Sequence, residues 1–153
     1  VPGPAEILLI EDSPADAELI MHALQEAGLA APVRVLTDGE EALDYLFRRG
    51  RNAERPGEPP RLVLLDIKLP KVDGLEVLRQ LKSEPATRPI PVVMLTSSKV
   101  ERDVTAAYRL GANGYVQKPM EFDRLRDVVG QLGRYWLVVN EPVPLRTFQH
   151  DAG

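Results

Sequence analysis

The chain has 153 residues, a length that suits one domain, and its 44% hydrophobic and 27% charged content is that of a chain that buries a core, so disorder of the whole is excluded. The absence of cysteine excludes disulfides, a thiol nucleophile and thiolate zinc sites. A net charge of −4, from 19 basic and 23 acidic residues, argues against neutralising phosphate backbones, so no nucleic-acid partner is expected.

Residues 1–5 read as a disordered or processed start outside the fold. No apolar run approaches the roughly 18 residues of a membrane span and no signal-peptide pattern opens the chain, so a cytoplasmic protein without a membrane partner is expected. Glu6-Ile7-Leu8-Leu9-Ile10 is a continuous apolar run of the kind that suits a strand covered on both faces. Ser13-Pro14-Ala15-Asp16 then supplies a capping hydroxyl, proline at the first helical position and an acid three residues after the cap. Leu19, Ile20, Ala23, Leu24 and Ala27 keep helical spacing, and Gly28 supplies a stop. Val33-Arg34-Val35-Leu36 is the second strand; Asp38, with Glu41 three residues on, caps a helix carrying Ala42, Leu43, Leu46 and Phe47.

Residues 50–60 (GRNAERPGEPP) form a loop, because glycine, proline and charge neither continue a helix nor enter a sheet. The third strand runs over residues 61–65 to Asp66, and Asp73-Gly74 marks the turn before a helix with Leu75, Val77, Leu78 and Leu81, closed by Pro85 and Pro89. Ile90 to Leu95 is the fourth strand. Ser98-Lys99-Val100-Glu101 has capping-box form for a helix through Ala107 to Leu110, ended by Gly111. Gly114-Tyr115-Val116-Gln117 is the fifth strand, and Phe122, Leu125, Val128, Val129 and Leu132 mark the last helix. Five buried-type strands alternating with five helices predict a doubly wound α/β fold with a parallel sheet. The domain spans residues 6–135 and a tail follows over 136–153.

Polar residues gather at strand ends. Glu11 and Asp12 follow the first strand, Asp66 the third, Thr96 the fourth and Lys118 the fifth, and open α/β sheets bind ligands outside these carboxyl ends. With strand order 2-1-3-4-5, of the flavodoxin type, Asp12 and Asp66 face each other on neighbouring strands. Three gathered carboxylates repel unless a divalent cation compensates them, and magnesium takes hard oxygen ligands. A central carboxylate, Asp66, can itself be the nucleophile in an aspartyl-phosphate reaction, with a lysine and a hydroxyl stabilising the transferred oxygens.

These residues resemble the receiver domain of two-component response regulators over residues 6 to about 134. Ile10-Glu11-Asp12, Leu65-Asp66 with Pro70 and Asp73-Gly74, Leu95-Thr96-Ser97 and Tyr115-Val116-Gln117-Lys118-Pro119 carry the resemblance. It implies that Asp66 accepts phosphate from a histidine kinase, that Asp12 and Asp66 ligate Mg2+ directly with Glu11 acting mostly through water, and that the backbone carbonyl of Lys68 is a further ligand. It also implies that Thr96 and Lys118 bind the phosphoryl group, that Thr96 and Tyr115 form the switch, and that the Lys118–Pro119 bond is cis. The longer loop before the third strand and the tail Tyr135-Trp136-Leu137 resemble the stand-alone regulators that accompany bacterial phytochrome kinases, so a bacteriophytochrome is the expected kinase partner. Such a protein is a switch rather than an enzyme.

Competing readings are weaker. An aspartyl-phosphate phosphatase or phosphotransferase would want a second acid two residues after the nucleophile, where Lys68 stands, and a flavin or nucleotide module would want a phosphate loop where Glu11-Asp12 stand. His22 as a phosphohistidine is disfavoured. The arginines at 48, 49, 51, 55 and 61 are interleaved with Glu54 and Glu58 and lack aromatics, which reads as a solvated loop. Trp136 with residues 137–139 is either folded on the core or a contact in a symmetric homodimer, which is the expectation.

Overall fold

The structure, a computed structural model, describes residues 6–29, 31–55 and 57–148. The expected start at residues 1–5 and the last five residues of the tail lie outside the described residues. Five parallel strands, β1 (Ile7–Ile10), β2 (Val33–Leu36), β3 (Leu62–Leu65), β4 (Val92–Thr96) and β5 (Gly114–Gln117), stand in the order β2-β1-β3-β4-β5. They alternate with α1 (Pro14–Glu26), α2 (Gly39–Leu46), α3 (Gly74–Ser83), α4 (Glu101–Arg109) and α5 (Phe122–Arg134). The predicted doubly wound fold is the observed one.

The period of two along each strand splits the core into two layers. Leu8, Ile10, Val63, Leu65, Val92 and Met94 point to the side covered by α2, α3 and α4. Ile7, Leu9, Leu62, Leu64, Val93 and Leu95 point to the side of α1 and α5. Because both faces are covered, the central strands are apolar throughout, and polar residues appear only where a strand leaves the sheet.

Caps were largely legible. The Ser13 hydroxyl accepts from the Asp16 N–H at 3.2 Å, and the Asp38 carboxylate accepts from the Glu41 N–H at 2.7 Å. The expected capping box at Ser98 does not form: α4 starts at Glu101 behind Val100, and the Ser98 hydroxyl donates instead to the Asp103 carboxylate at 2.6 Å. The fourth strand starts at Val92 rather than Ile90, because the Ile90 N–H bonds back to the Thr87 carbonyl at 3.0 Å and Pro91 has no N–H to give.

The loop after α2 holds a single 3-10 turn, Gly50–Asn52, and its arginines fold it down. Arg55 stacks on the Tyr45 ring at 3.9 Å and donates to the Tyr45 carbonyl at 3.1 Å, while Arg48 donates to the carbonyls of Arg55 and Gly57. Beyond α5 the chain makes a π turn, Tyr135–Val139, and a 3-10 turn, Leu145–Phe148. Trp136 and Leu137 pack on the α1/α5 layer and Phe148 on the opposite one, so the tail passes beneath the sheet from one core layer to the other. Tyr135, Val138 and Val139 remain exposed. No helix among the described residues is long and apolar enough to cross a membrane.

Candidate functional site

The strand order brings the polar strand ends together. Glu11 and Asp12 leave β1, Asp66 leaves the neighbouring β3, Thr96 ends β4 and Lys118 follows β5. Carboxylate oxygens of Glu11, Asp12 and Asp66 all lie within 4.8 Å of one another; Glu11 and Asp66 are buried and Asp12 is exposed. Main-chain bonds fix the frame: the Asp66 N–H donates to the Ile10 carbonyl at 3.1 Å, and the Lys118 N–H to the Thr96 carbonyl at 2.7 Å. The Asp66 carboxylate accepts from the Ile67 N–H at 2.7 Å, leaving its other oxygen toward the cluster.

Lys118 reaches across β4 and β3. Its Nζ donates to Glu11 Oε1 at 2.5 Å, Asp16 Oδ2 at 2.9 Å and Asp66 Oδ2 at 3.2 Å. Burial alone pulls the ammonium's pKa down, but the carboxylates of Glu11, Asp16 and Asp66 together outweigh it and hold the pKa above the ordinary lysine range. Burial pushes the Glu11 carboxyl up, the Lys118 bond pulls it down, and the nearby Asp66 charge pushes it up again, so it rests above the usual glutamate value. Thr96 is buried, its hydroxyl accepting from the Ser98 N–H at 3.3 Å. The half-buried Tyr115 donates its hydroxyl to the Ser98 carbonyl at 2.8 Å. Lys68 stands two residues past Asp66 with its side chain exposed.

A divalent cation fits this donor set. Its oxygens are hard, and three carboxylates gather within 4.8 Å of one another beside the single ammonium of Lys118.

Two points differ from expectation. There is no cis peptide bond among the described residues, so Lys118–Pro119 is trans. The intrinsic trans preference of about 0.5–1 kcal/mol prevails because the lysine already reaches its three carboxylates from a trans backbone. Asp16 joins the site as well, although its sequence position signalled only a helix cap. Its carboxylate turns inward from the first turn of α1, and what revealed it is the position of Lys118, which no local pattern encodes.

Several known proteins are similar to this chain. FilR2, a probable methanogenesis regulatory protein of Methanothrix harundinacea, is 46% identical over 88% of this chain and 84% of its own length. Response regulator Rcp1 of Synechocystis sp. is 40% identical over 88% of this chain and 90% of its own. The crystal structure of the Mn(2+)-bound form of Rcp1 superposes with a TM-score of 0.87 at 38% identity, covering 92% of this chain and 100% of that one. The bacteriophytochrome response regulator AtBRR is 51% identical with a TM-score of 0.73, covering 92% of this chain and 100% of its own. Residues 7–130 match the model of the response regulator receiver domain, and the chain belongs to that family.

Proposed function

We propose that the chain is a phosphorylation-activated switch that takes a phosphoryl group from a sensor histidine kinase onto Asp66. The convergence of Asp66 with two further carboxylates and the Lys118 ammonium carries this reading. An Asp66 carboxylate oxygen attacks the phosphorus of a phosphohistidine; the P–N bond breaks, its electron pair stays on the imidazole nitrogen, and that nitrogen takes up a proton. Magnesium, when bound, would offset charge on the phosphoryl oxygens, with Asp12 and Asp66 holding it directly, Glu11 through water and Lys68 by its backbone carbonyl. Lys118 exchanges carboxylate contacts for a phosphoryl oxygen, and the Thr96 hydroxyl donates to another. Moving Thr96 opens space beside Tyr115, which gives up its bond to Ser98 and turns inward. The surface of α4, β5 and α5 then shifts toward a second state, favoured because these contacts exist only there.

Such a protein is a switch that serves its own phosphorylation, and its setting is the cytoplasm. The resemblance to AtBRR makes a bacteriophytochrome the kinase of this reading. A homodimer through the exposed side of the tail, where Tyr135, Val138 and Val139 face solvent, belongs to the same reading. Sedimentation that finds one monomeric species at tens of micromolar, with and without a phosphoryl analogue, removes the dimer.

Incubation with acetyl phosphate and Mg2+ should add one phosphoryl group, stable in acid and labile in base, mapped to Asp66 by mass spectrometry. Asp66→Asn should abolish it and Asp12→Ala should reduce it. Labelling of Asp66→Asn at the parent's level overturns the assignment.

A further inference from the structure

The three donors of the Lys118 ammonium go to three carboxylates that are not equivalent. Glu11 and Asp66 belong to the cluster whose oxygens a divalent cation would draw on, together with Asp12. Asp16 lies outside that cluster and at the rim, its side chain 36% exposed against 2% for Glu11 and 10% for Asp66.

The direction of Asp16 is not imposed by its helix. An acid three residues after a capping serine ordinarily turns back to the serine N–H. Here the Ser13 N–H donates to Glu11 Oε2 at 3.1 Å instead, although the Ser13 hydroxyl still accepts from the Asp16 N–H. The box is half open, and the released Asp16 carboxylate points to Lys118.

Resting on the reading of Asp66 as phosphoacceptor, we propose that Asp16 is a positioning residue: it tethers the Lys118 ammonium from the rim, so that this cation stays aimed at the phosphoryl position without monopolising the metal-facing oxygens of Glu11 and Asp66. The reasoning is competitive. An ammonium and a metal ion that share carboxylate oxygens exclude each other in proportion to how tightly the ammonium holds them. With three anions the ammonium divides its hydrogen bonds; with two it settles on Glu11 and Asp66, and the metal binds less well. A plain through-space effect of losing a half-exposed charge would be small and screened.

Two measurements test this. In metal-free protein, the Lys118 ammonium should give a slowly exchanging 15Nζ signal, assigned by its loss in Lys118→Met. Asp16→Asn should broaden that signal away, and Asp16→Glu should restore it. In Mg2+ titrations by calorimetry, Asp16→Asn should weaken binding about three- to tenfold in the parent and less than about twofold in the Lys118→Met background. Equal weakening in both backgrounds, or none in the parent, overturns the proposal, as does an ammonium signal indifferent to Asp16→Asn. Circular-dichroism melts of each variant identify any loss of folding, and Asp16→Glu keeps the helix-end charge. A parent that binds Mg2+ but is never phosphorylated sinks the switch reading while leaving this coupling measurable; a parent that binds no Mg2+ sinks it too, and the ammonium signal alone then decides the role of Asp16.

Discussion

A single methyl group at Gly74 should break the joint between α3 and the strand end that carries Asp66. Gly74 opens α3 behind the Asp73 cap, its N–H donating to the Ile67 carbonyl at 2.7 Å. A Cβ there would lie 1.9 Å from the Asp66 carbonyl oxygen and 2.8 Å from both the Asp66 carbonyl carbon and the Ile67 Cα. All three atoms are backbone, so no side chain can swing aside, and α3 or the strand end must move by about 1.5 Å to bring the 1.9 Å approach to ordinary contact at 3.4 Å. Overpacking of well-packed sites costs about 1–3 kcal/mol and occasionally more, and the rigidity of these neighbours puts Gly74→Ala at about 3 kcal/mol. That is a large part of the roughly 5–15 kcal/mol that holds a domain folded. With urea m-values of about 1–3 kcal/mol/M, the unfolding midpoint should fall by about 1–3 M. The internal control is Gly130→Ala in α5, where the new methyl would meet only the Ala27 Cβ at 3.9 Å. There the entropy lost by glycine dominates, and about 0.5–1 kcal/mol of stabilisation is expected. Urea titrations followed by far-UV circular dichroism measure both. A Gly74→Ala midpoint equal to the parent's would refute the claim that this helix start is packed against the backbone of Asp66.

Three further outcomes are expected. Asp38→Ala removes the carboxylate that accepts from the Glu41 N–H, so α2 should lose about 1 kcal/mol, read as a lower thermal midpoint that Asp38→Asn largely recovers. Lys82 donates to the carbonyls of Arg88 and Ile90 and to the Asn113 side chain at 2.7–3.1 Å, and burial lowers its pKa to about 8. The unfolded chain then holds more protons between that value and an unfolded lysine pKa near 10.4, so stability should rise with pH across this window. The three acceptors oppose the shift, which keeps the rise to about 1–2 kcal/mol; a Lys82→Met variant with the same pH slope in urea titrations refutes it. Mg2+ at a hundredfold excess over its dissociation constant should stabilise the parent by about 2.7 kcal/mol, and thermal melts in which Asp12→Ala gains equally would remove the acidic cluster as the site.

Local chemistry alone determined much of this protein. The apolar runs of β1, β3 and β4, the caps at Ser13, Asp38 and Asp73, and the breaks at Gly28 and Gly111 are short-range signals, each decided within a few residues. Because the strands are apolar to their ends, the polar residues that follow them marked the candidate site, and Glu11, Asp12, Asp66, Thr96 and Lys118 stand where the chain leaves the sheet. Other features depend on which elements become neighbours. That Asp16 faces Lys118 instead of closing its capping box, that the Lys118–Pro119 bond is trans, that Ser98 serves Asp103 instead of capping α4, and that the tail spans both core layers are decided by competition among partners far apart in the chain. A carboxylate offered both a helix-end N–H and an ammonium takes the one that tertiary packing brings within reach, and only the folded sheet, with β5 three strands from β1, fixes where that ammonium lies.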